Sequence, residues 1–217
     1  MKVTTDACLF GAWSSKYYAS TLLDIGTGTG LLSLMYRQKN ESKITAIELE
    51  ENAFNQSILN FADSLWSKDF ETIYGDFKKW SITIDQKFEV IICNPPFYQN
   101  QFQSPDGRVN LARHESGLTY DELISGVNKL LQISGSFLIL LPTTTDQLFE
   151  LTALKNGLYL NEKVLVREKK SNSFIRAMCR FSYQKTNTKV HNITIRNADD
   201  DYSKKFKDYL KDYYLYL

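Results

Sequence analysis

The chain alternates between short apolar runs and longer stretches whose apolar residues recur at helical spacing. Thr21–Ile25, Lys43–Glu48, Phe70–Tyr74 and Phe88–Cys93 are runs of strand length, rich in Ile, Val, Leu and Phe. Between them, Leu31 to about Gln38 and residues 51–66 place apolar residues on one helical face, the second through Ala53, Ile58, Phe61, Ala62, Leu65 and Trp66. Further on, Thr119–Leu131 predicts a helix opened by a Thr119/Glu122 capping box. Gly135–Leu141 predicts a fifth strand stopped by Pro142, and Asp146–Asn156 a helix stopped by Gly157. Ahead of the first strand, Thr5 or Asp6 is positioned to cap a short helix running through Trp13. Leu160–Glu168 and Phe174–Tyr183 then read as a strand pair joined by a polar loop. A last helix from about Tyr202 carries Tyr202, Phe206, Tyr209, Leu210, Tyr213 and Leu217 on one stripe, expected to pack on the body.

Strand–helix alternation from 21 to 156 specifies an α/β fold: an open, mainly parallel sheet flanked by helices, with an antiparallel C-terminal strand pair. In such sheets ligands gather at the carboxyl ends of the strands. At 217 residues the chain suits one domain. We divide it into an N-terminal segment 1–20 on the site's side, a core 21–185 and a C-terminal extension 186–217.

The strand ends carry the chemistry. Asp24-Ile25-Gly26-Thr27-Gly28-Thr29-Gly30 closes the first strand with glycines at alternate positions. Glycines there permit positive φ and close approach of a ligand, and the next helix offers its free N–H groups. The spacing is not that of a dinucleotide turn, which needs its third glycine one place later, at Leu31. An acid at the strand end suits a cationic ligand better than a pyrophosphate. Glu48 ends the second strand, where an acid can accept ribose hydroxyls. Gly75-Asp76-Phe77 follows the third; Asp76 can accept from a ring amino group while Phe77 packs on the ring, though an ordinary turn is an equal reading.

The fourth strand runs into Asn94-Pro95-Pro96-Phe97-Tyr98. Proline lacks an N–H and fixes φ, so the strand stops and leaves the Asn94 amide and nearby carbonyls at the sheet edge. Two acceptors beside an aromatic face suit an exocyclic amino group on a planar ring. Residues 99–118 form a long polar loop containing Arg108, Arg113 and His114, candidates for phosphate contact. Between 163 and 189, Lys163, Arg167, Lys169, Lys170, Arg176, Arg180, Lys185 and Lys189 face a single acid, Glu168. That imbalance reads as a local basic surface for a nucleic acid, with solubilising lysines on a hairpin as the plain alternative.

Composition narrows the field. Net charge is +1, so a whole-surface polyanion binder is not expected. The apolar runs are too short to span a bilayer, and the N-terminus does not resemble a signal peptide. Cys8, Cys93 and Cys179 are odd in number and widely spaced, as in reduced cytoplasmic proteins. With two histidines and no C-x-x-C pair, no metal site is expected.

Taken together, Asp24-x-Gly26-x-Gly28-x-Gly30, Glu48, Asp76 and Asn94-Pro95-Pro96-Phe97 resemble the class I S-adenosylmethionine-dependent methyltransferases with an N-P-P-[FY] motif, which have a Rossmann-like core. Lys2-Val3-Thr4-Thr5-Asp6 through Trp13, Ala112-Arg113-His114-Glu115 and the Tyr-rich C-terminus are similar to the bacterial tRNA-Val (adenine-N6) methyltransferases, which usually carry a further segment ahead of the first motif. The resemblance implies S-adenosyl-L-methionine as cofactor and the single-stranded anticodon loop of a tRNA as partner. It implies that Asp24, Gly26, Gly28 and Gly30 serve the methionine part, Glu48 the ribose, and Asp76 and Phe77 the adenine, with Thr5 and Asn94 also among the cofactor-binding residues. Asn94 and Pro95 would accept from the substrate amino group, Pro96 would shape the turn and Phe97 would stack on the base. Tyr98, Arg108, Arg113, His114, Lys169, Lys170 and Arg176 would meet the RNA. The motif alone does not separate adenine in tRNA from a protein glutamine, an rRNA guanine or a DNA adenine, and a non-catalytic RNA-binding protein on the same scaffold is the alternative of another class.

Overall fold

The computed structural model describes residues 3–95 and 117–217. In chain order the elements are α1 (Thr5–Ser14), β1 (Thr21–Ile25), α2 (Leu31–Lys39), β2 (Lys43–Glu48), α3 (Glu51–Ala62), β3 (Phe70–Tyr74), α4 (Phe77–Ser81) and β4 (Phe88–Cys93). Then follow α5 (Tyr120–Leu130), β5 (Leu131–Pro142), α6 (Asp146–Lys155), β6 (Tyr159–Arg167), β7 (Arg176–Ser182), β8 (Lys189–Thr194) and α7 (Lys204–Leu210).

The strands form one sheet in the order β3-β2-β1-β4-β5-β7-β6-β8. From β3 to β5 all neighbours are parallel; β7 runs antiparallel between β5 and β6, and β8 lies parallel to β6. This is the Rossmann-like sheet expected, with the antiparallel group at the predicted place. The strand runs are continuously apolar because both faces are covered. Alternate residues feed two cores: Leu22, Val90, Ile92 and Leu138 join α1, α2 and α7 on one face. Leu23, Ile91, Cys93 and Phe137 join α4, α5 and α6 on the other. No described helix is long and apolar enough to cross a membrane.

Several boundaries differ from expectation. Helix α1 is entered through Thr4, whose side chain makes no capping bond, rather than through Thr5 or Asp6. Helix α3 is capped by Glu50, which accepts from the Asn52 and Ala53 amides, and it stops at Ala62. Leu65 is consequently 93% exposed instead of lying on the buried stripe. Asp76 caps a short helix, α4, where only a turn was expected. Strand β5 begins at Leu131, because the chain passes from α5 into the sheet without a connecting loop. The capping box of α5 is present, with Thr119 and Glu122 each accepting from the other's amide.

The C-terminal extension was expected as a helix only, yet it also supplies β8. That strand has a polar sequence and mostly exposed residues, as an edge strand should. From the predicted stripe, Phe206 and Leu210 are fully buried, and Tyr202, Tyr209 and Tyr213 pack against the same core. Leu217 remains 37% exposed.

Candidate functional site

Strand register brings the predicted residues to one level. Ile25 stands opposite Ile47 on one side and Cys93 on the other, so Gly26, Glu48 and Asn94 are the next residues on three adjacent strands. Glu48 is in turn level with Tyr74, which precedes Gly75 and Asp76.

The turn after β1 has the conformation its glycines permit: φ is +69° at Gly26, +60° at Gly28 and +87° at Gly30. A Cβ on Gly30 would fall 2.5 Å from the Phe61 ring of α3, so this glycine serves close approach as well as positive φ. On Gly26 a Cβ would meet nothing within 4 Å, leaving that side of the turn open. The turn is tied down from several sides. The Gly26 and Thr27 amides donate to the Ile47 carbonyl, and the Gly28 amide donates to Glu48 Oε2 at 2.8 Å. From α3, Asn60 Nδ2 donates to the Thr29 carbonyl at 2.8 Å.

Asp24 is completely buried beneath this turn. The Thr27 and Ser33 hydroxyls both donate to its Oδ2 at 2.7 Å. Its Oδ1 is buried and has no hydrogen-bond partner among the described residues. Burial pushes the carboxyl up to about 6; the two hydroxyls oppose that rise, and the charge of Glu48 adds to it. The Asn94 Oδ1 is also buried without a partner among the described residues. Buried polar atoms are nearly always hydrogen-bonded, so such an acceptor needs an explanation. Two of them stand at neighbouring strand ends. Cys93 lies between them, its thiol held well up by burial and by the charges of Asp24 and Glu48.

Glu48 is fixed by backbone donors. Its Oε1 accepts from the Leu49 and Glu50 amides at 2.9 Å each, and Oε2 accepts from Gly28. Each carboxylate oxygen has two acceptor positions, so Oε2 has capacity for one donor more. Asp76 Oδ1 accepts from the Lys78 amide at 2.9 Å, so part of its capacity goes to capping α4.

Other predicted residues are placed differently. Phe77 is 6% exposed, and its ring packs where a Cβ on Gly126 of α5 would be, so it belongs to the core. Three of the eight basic residues of the segment 163–189 are met in space by acids from elsewhere in the chain. Lys163 lies within 2.6 Å of both Asp146 and Glu150, Lys169 pairs with Asp200 at 3.0 Å, and Arg176 pairs with Asp6 at 2.7 Å. Lys170 is exposed beside them. Thr5 opens α1, and Pro95 is half-buried after Asn94. Pro96, Phe97, Tyr98, Arg108, Arg113 and His114 lie outside the described residues. Among the described residues no group of three or more His, Cys, Asp or Glu side chains is gathered as a metal ion would require.

Sequence reasoning missed two features of this edge. Leu49, directly after Glu48, is 58% exposed and offers an apolar surface beside the acid. Its signal is a large apolar residue after a strand-ending acid. Asn60 gave none, because its role depends on α3 folding back over the glycine turn.

A family model described as the methyltransferase small domain matches residues 8–147. The tRNA1(Val) (adenine(37)-N6)-methyltransferase of Pseudoalteromonas translucida (strain TAC 125) is 36% identical over 216 residues, spanning 99% of this chain and 92% of that protein. A protein of the same name from Bacteroides thetaiotaomicron is 35% identical over 219 residues, spanning 100% of this chain and 92% of its own. Among solved structures, a predicted O-methyltransferase from Agrobacterium tumefaciens superposes with a TM-score of 0.72 over 95% of both chains at 12% identity. A glycopeptide N-methyltransferase complexed with S-adenosyl-L-methionine superposes with a TM-score of 0.60 over 83% of this chain and 94% of its own, also at 12% identity. At such identities the two structures share the fold.

Proposed function

The chain belongs to the methyltransferase small-domain family and, within it, to the tRNA1(Val) (adenine(37)-N6)-methyltransferases, and on that footing we propose that it methylates the exocyclic amino group of an adenine in tRNA, with S-adenosyl-L-methionine as donor. The observation that carries the reading is the Asn94 Oδ1 at the end of β4, buried and without a partner among the described residues, with Asp24 Oδ1 in the same condition on the neighbouring strand. The described residues fit the cofactor. Asp24 offers an acceptor for an ammonium group, and the open side of Gly26 admits backbone approach. Oε2 of Glu48 has room for a ribose hydroxyl, while Leu49 and Asp76 flank the place for an adenine. When bound, this cofactor supplies an electrophilic methyl group on a sulfonium centre.

The chain's own residues have one chemical problem to solve. The lone pair of an aryl amine is delocalised into its ring, so the nitrogen is a weak nucleophile. Asn94 Oδ1 accepting one N–H, and the Pro95 carbonyl accepting the other, favours a pyramidal nitrogen with its lone pair fixed in direction. That is catalysis by positioning and electrostatics, and the amine needs no strong base to begin. Phe97, by family resemblance, supplies the stacking face. An adenine in a single-stranded anticodon loop is already free of a duplex partner and can enter such a pocket. A bacterial enzyme acting on tRNA works in the cytoplasm.

Replacing Asn94 by Ala tests the assignment. It should leave cofactor affinity nearly intact and lower kcat by about 10²-fold or more, as loss of a transition-state contact does. Unchanged turnover would overturn the role given to Asn94.

A further inference from the structure

Arg176 is the first residue of β7 and stands level with Pro142, the last residue of β5. It thus lies at the carboxyl edge of the sheet, one strand beyond the neighbour of β4. Its Nε donates to Asp6 Oδ2 at 2.7 Å, across 170 positions of sequence. Both side chains are largely covered, 26% exposed for Arg176 and 18% for Asp6. The other oxygen of Asp6 accepts from the Ala7 amide at 3.0 Å, inside the first turn of α1.

Among the described residues the entry of α1 has little else to hold it. Thr4 provides no side-chain cap, and Val3 and Thr4 are exposed. An uncapped helix start frays, because its first amides lack partners. The rest of α1 is well anchored, since Ala7 to Ser14 are all buried. The Asp6–Arg176 pair therefore decides whether Thr4, Thr5 and Asp6 stay against the carboxyl edge or peel away. A half-covered, charge-assisted bond is strong enough for this.

We propose that the Asp6–Arg176 ion pair is a clamp that positions the first turn of α1 as a wall of the methyl-transfer site. Arg176 is on this account a positioning residue, and phosphate contact is left to other cations. The clamp itself is independent of the reading of the site as a tRNA methyltransferase; its effect on substrate rests on that reading.

The test uses the full chain with Asp6→Asn, Arg176→Gln and the double variant. Asp6→Asn keeps an acceptor for the Ala7 amide, so it removes the charge and little more. Amide exchange of the free protein in residues 4–8 should quicken in each variant, with an unchanged Tm, since the rest of α1 is buried. With tRNA and cofactor, KM for tRNA should rise by about tenfold in each single variant while kcat stays within about twofold, the size expected for one charge-assisted bond acting on positioning. The double variant should be no worse than Arg176→Gln alone, because the two residues act as one unit. Unchanged exchange in residues 4–8 would overturn the clamp. Quickened exchange with unaltered KM would leave the clamp standing but remove it from the site. Effects that multiply in the double variant would show Arg176 acting on the RNA without Asp6. If no variant and no parent methylates tRNA, the functional reading fails, and the exchange data still decide the clamp.

Discussion

Asp24 is the residue on which this site's pH behaviour turns. Burial holds its carboxyl up at about 6 from an ordinary 3.8, while Oδ1 has no partner among the described residues. Because the folded value is raised, ionising Asp24 costs stability. The cost is absent below the unfolded value, grows as pH rises between 3.8 and about 6, and is complete above that. A cationic ligand at Oδ1 reverses this, since it favours the ionised form. Cofactor affinity measured by calorimetry should therefore be level above pH 6 and fall below it, by at most about tenfold per pH unit. In Asp24→Asn that slope should vanish; a slope persisting there would assign the titration to another group. The placement of Asp24, Glu48 and Asn94 at strand ends was legible in the sequence, because an apolar run stops at or next to each. Phe77 was not, because a buried aromatic and a ligand-stacking one look identical until Gly126 is seen beneath the ring. The Arg176–Asp6 pair was not legible for a related reason: the acid lies 170 positions away.

The element that most needs its sequence is the turn from Gly26 to Gly30. Three positive φ values and a contact with Phe61 leave no room for a side chain at Gly30. Gly30→Ala should destabilise the protein by about 1–3 kcal/mol through backbone strain and overlap with the ring. It should also weaken cofactor binding, because displacing Phe61 moves its neighbour Asn60 and with it the Thr29 carbonyl. Unfolding curves and calorimetry measure both; a variant as stable as the parent would show that α3 yields freely at this point. Parallel strands and their helices were readable because burial on both faces leaves continuous apolar runs. The elements that escaped, α4 and β8, are short or polar. Helix α4 follows from the Asp76 cap, and β8 is an edge strand whose Lys189, Val190, His191 and Asn192 are exposed, so neither leaves a periodic apolar signature.

At the scale of the molecule, sheet order puts the proposed cofactor residues at the ends of β1, β2 and β3 and the proposed substrate acceptor at the end of β4, beside the point where the strand order reverses. The C-terminal extension completes the other end. Strand β8 lengthens the sheet, and α7 returns across the face that holds α1, burying Phe206 and Leu210. The charge imbalance read along residues 163–189 is reduced in three dimensions, as Asp146 and Glu150 meet Lys163, Asp200 meets Lys169 and Asp6 meets Arg176. The proposal rests on a strand-end constellation suited to a cationic cofactor and a flat amino-bearing substrate. The most direct test is transfer of a labelled methyl group from S-adenosyl-L-methionine to unmodified total tRNA, followed by nucleoside analysis. The account predicts label in N6-methyladenosine. Cofactor binding without label in tRNA, or label in a protein or in rRNA instead, would contradict it.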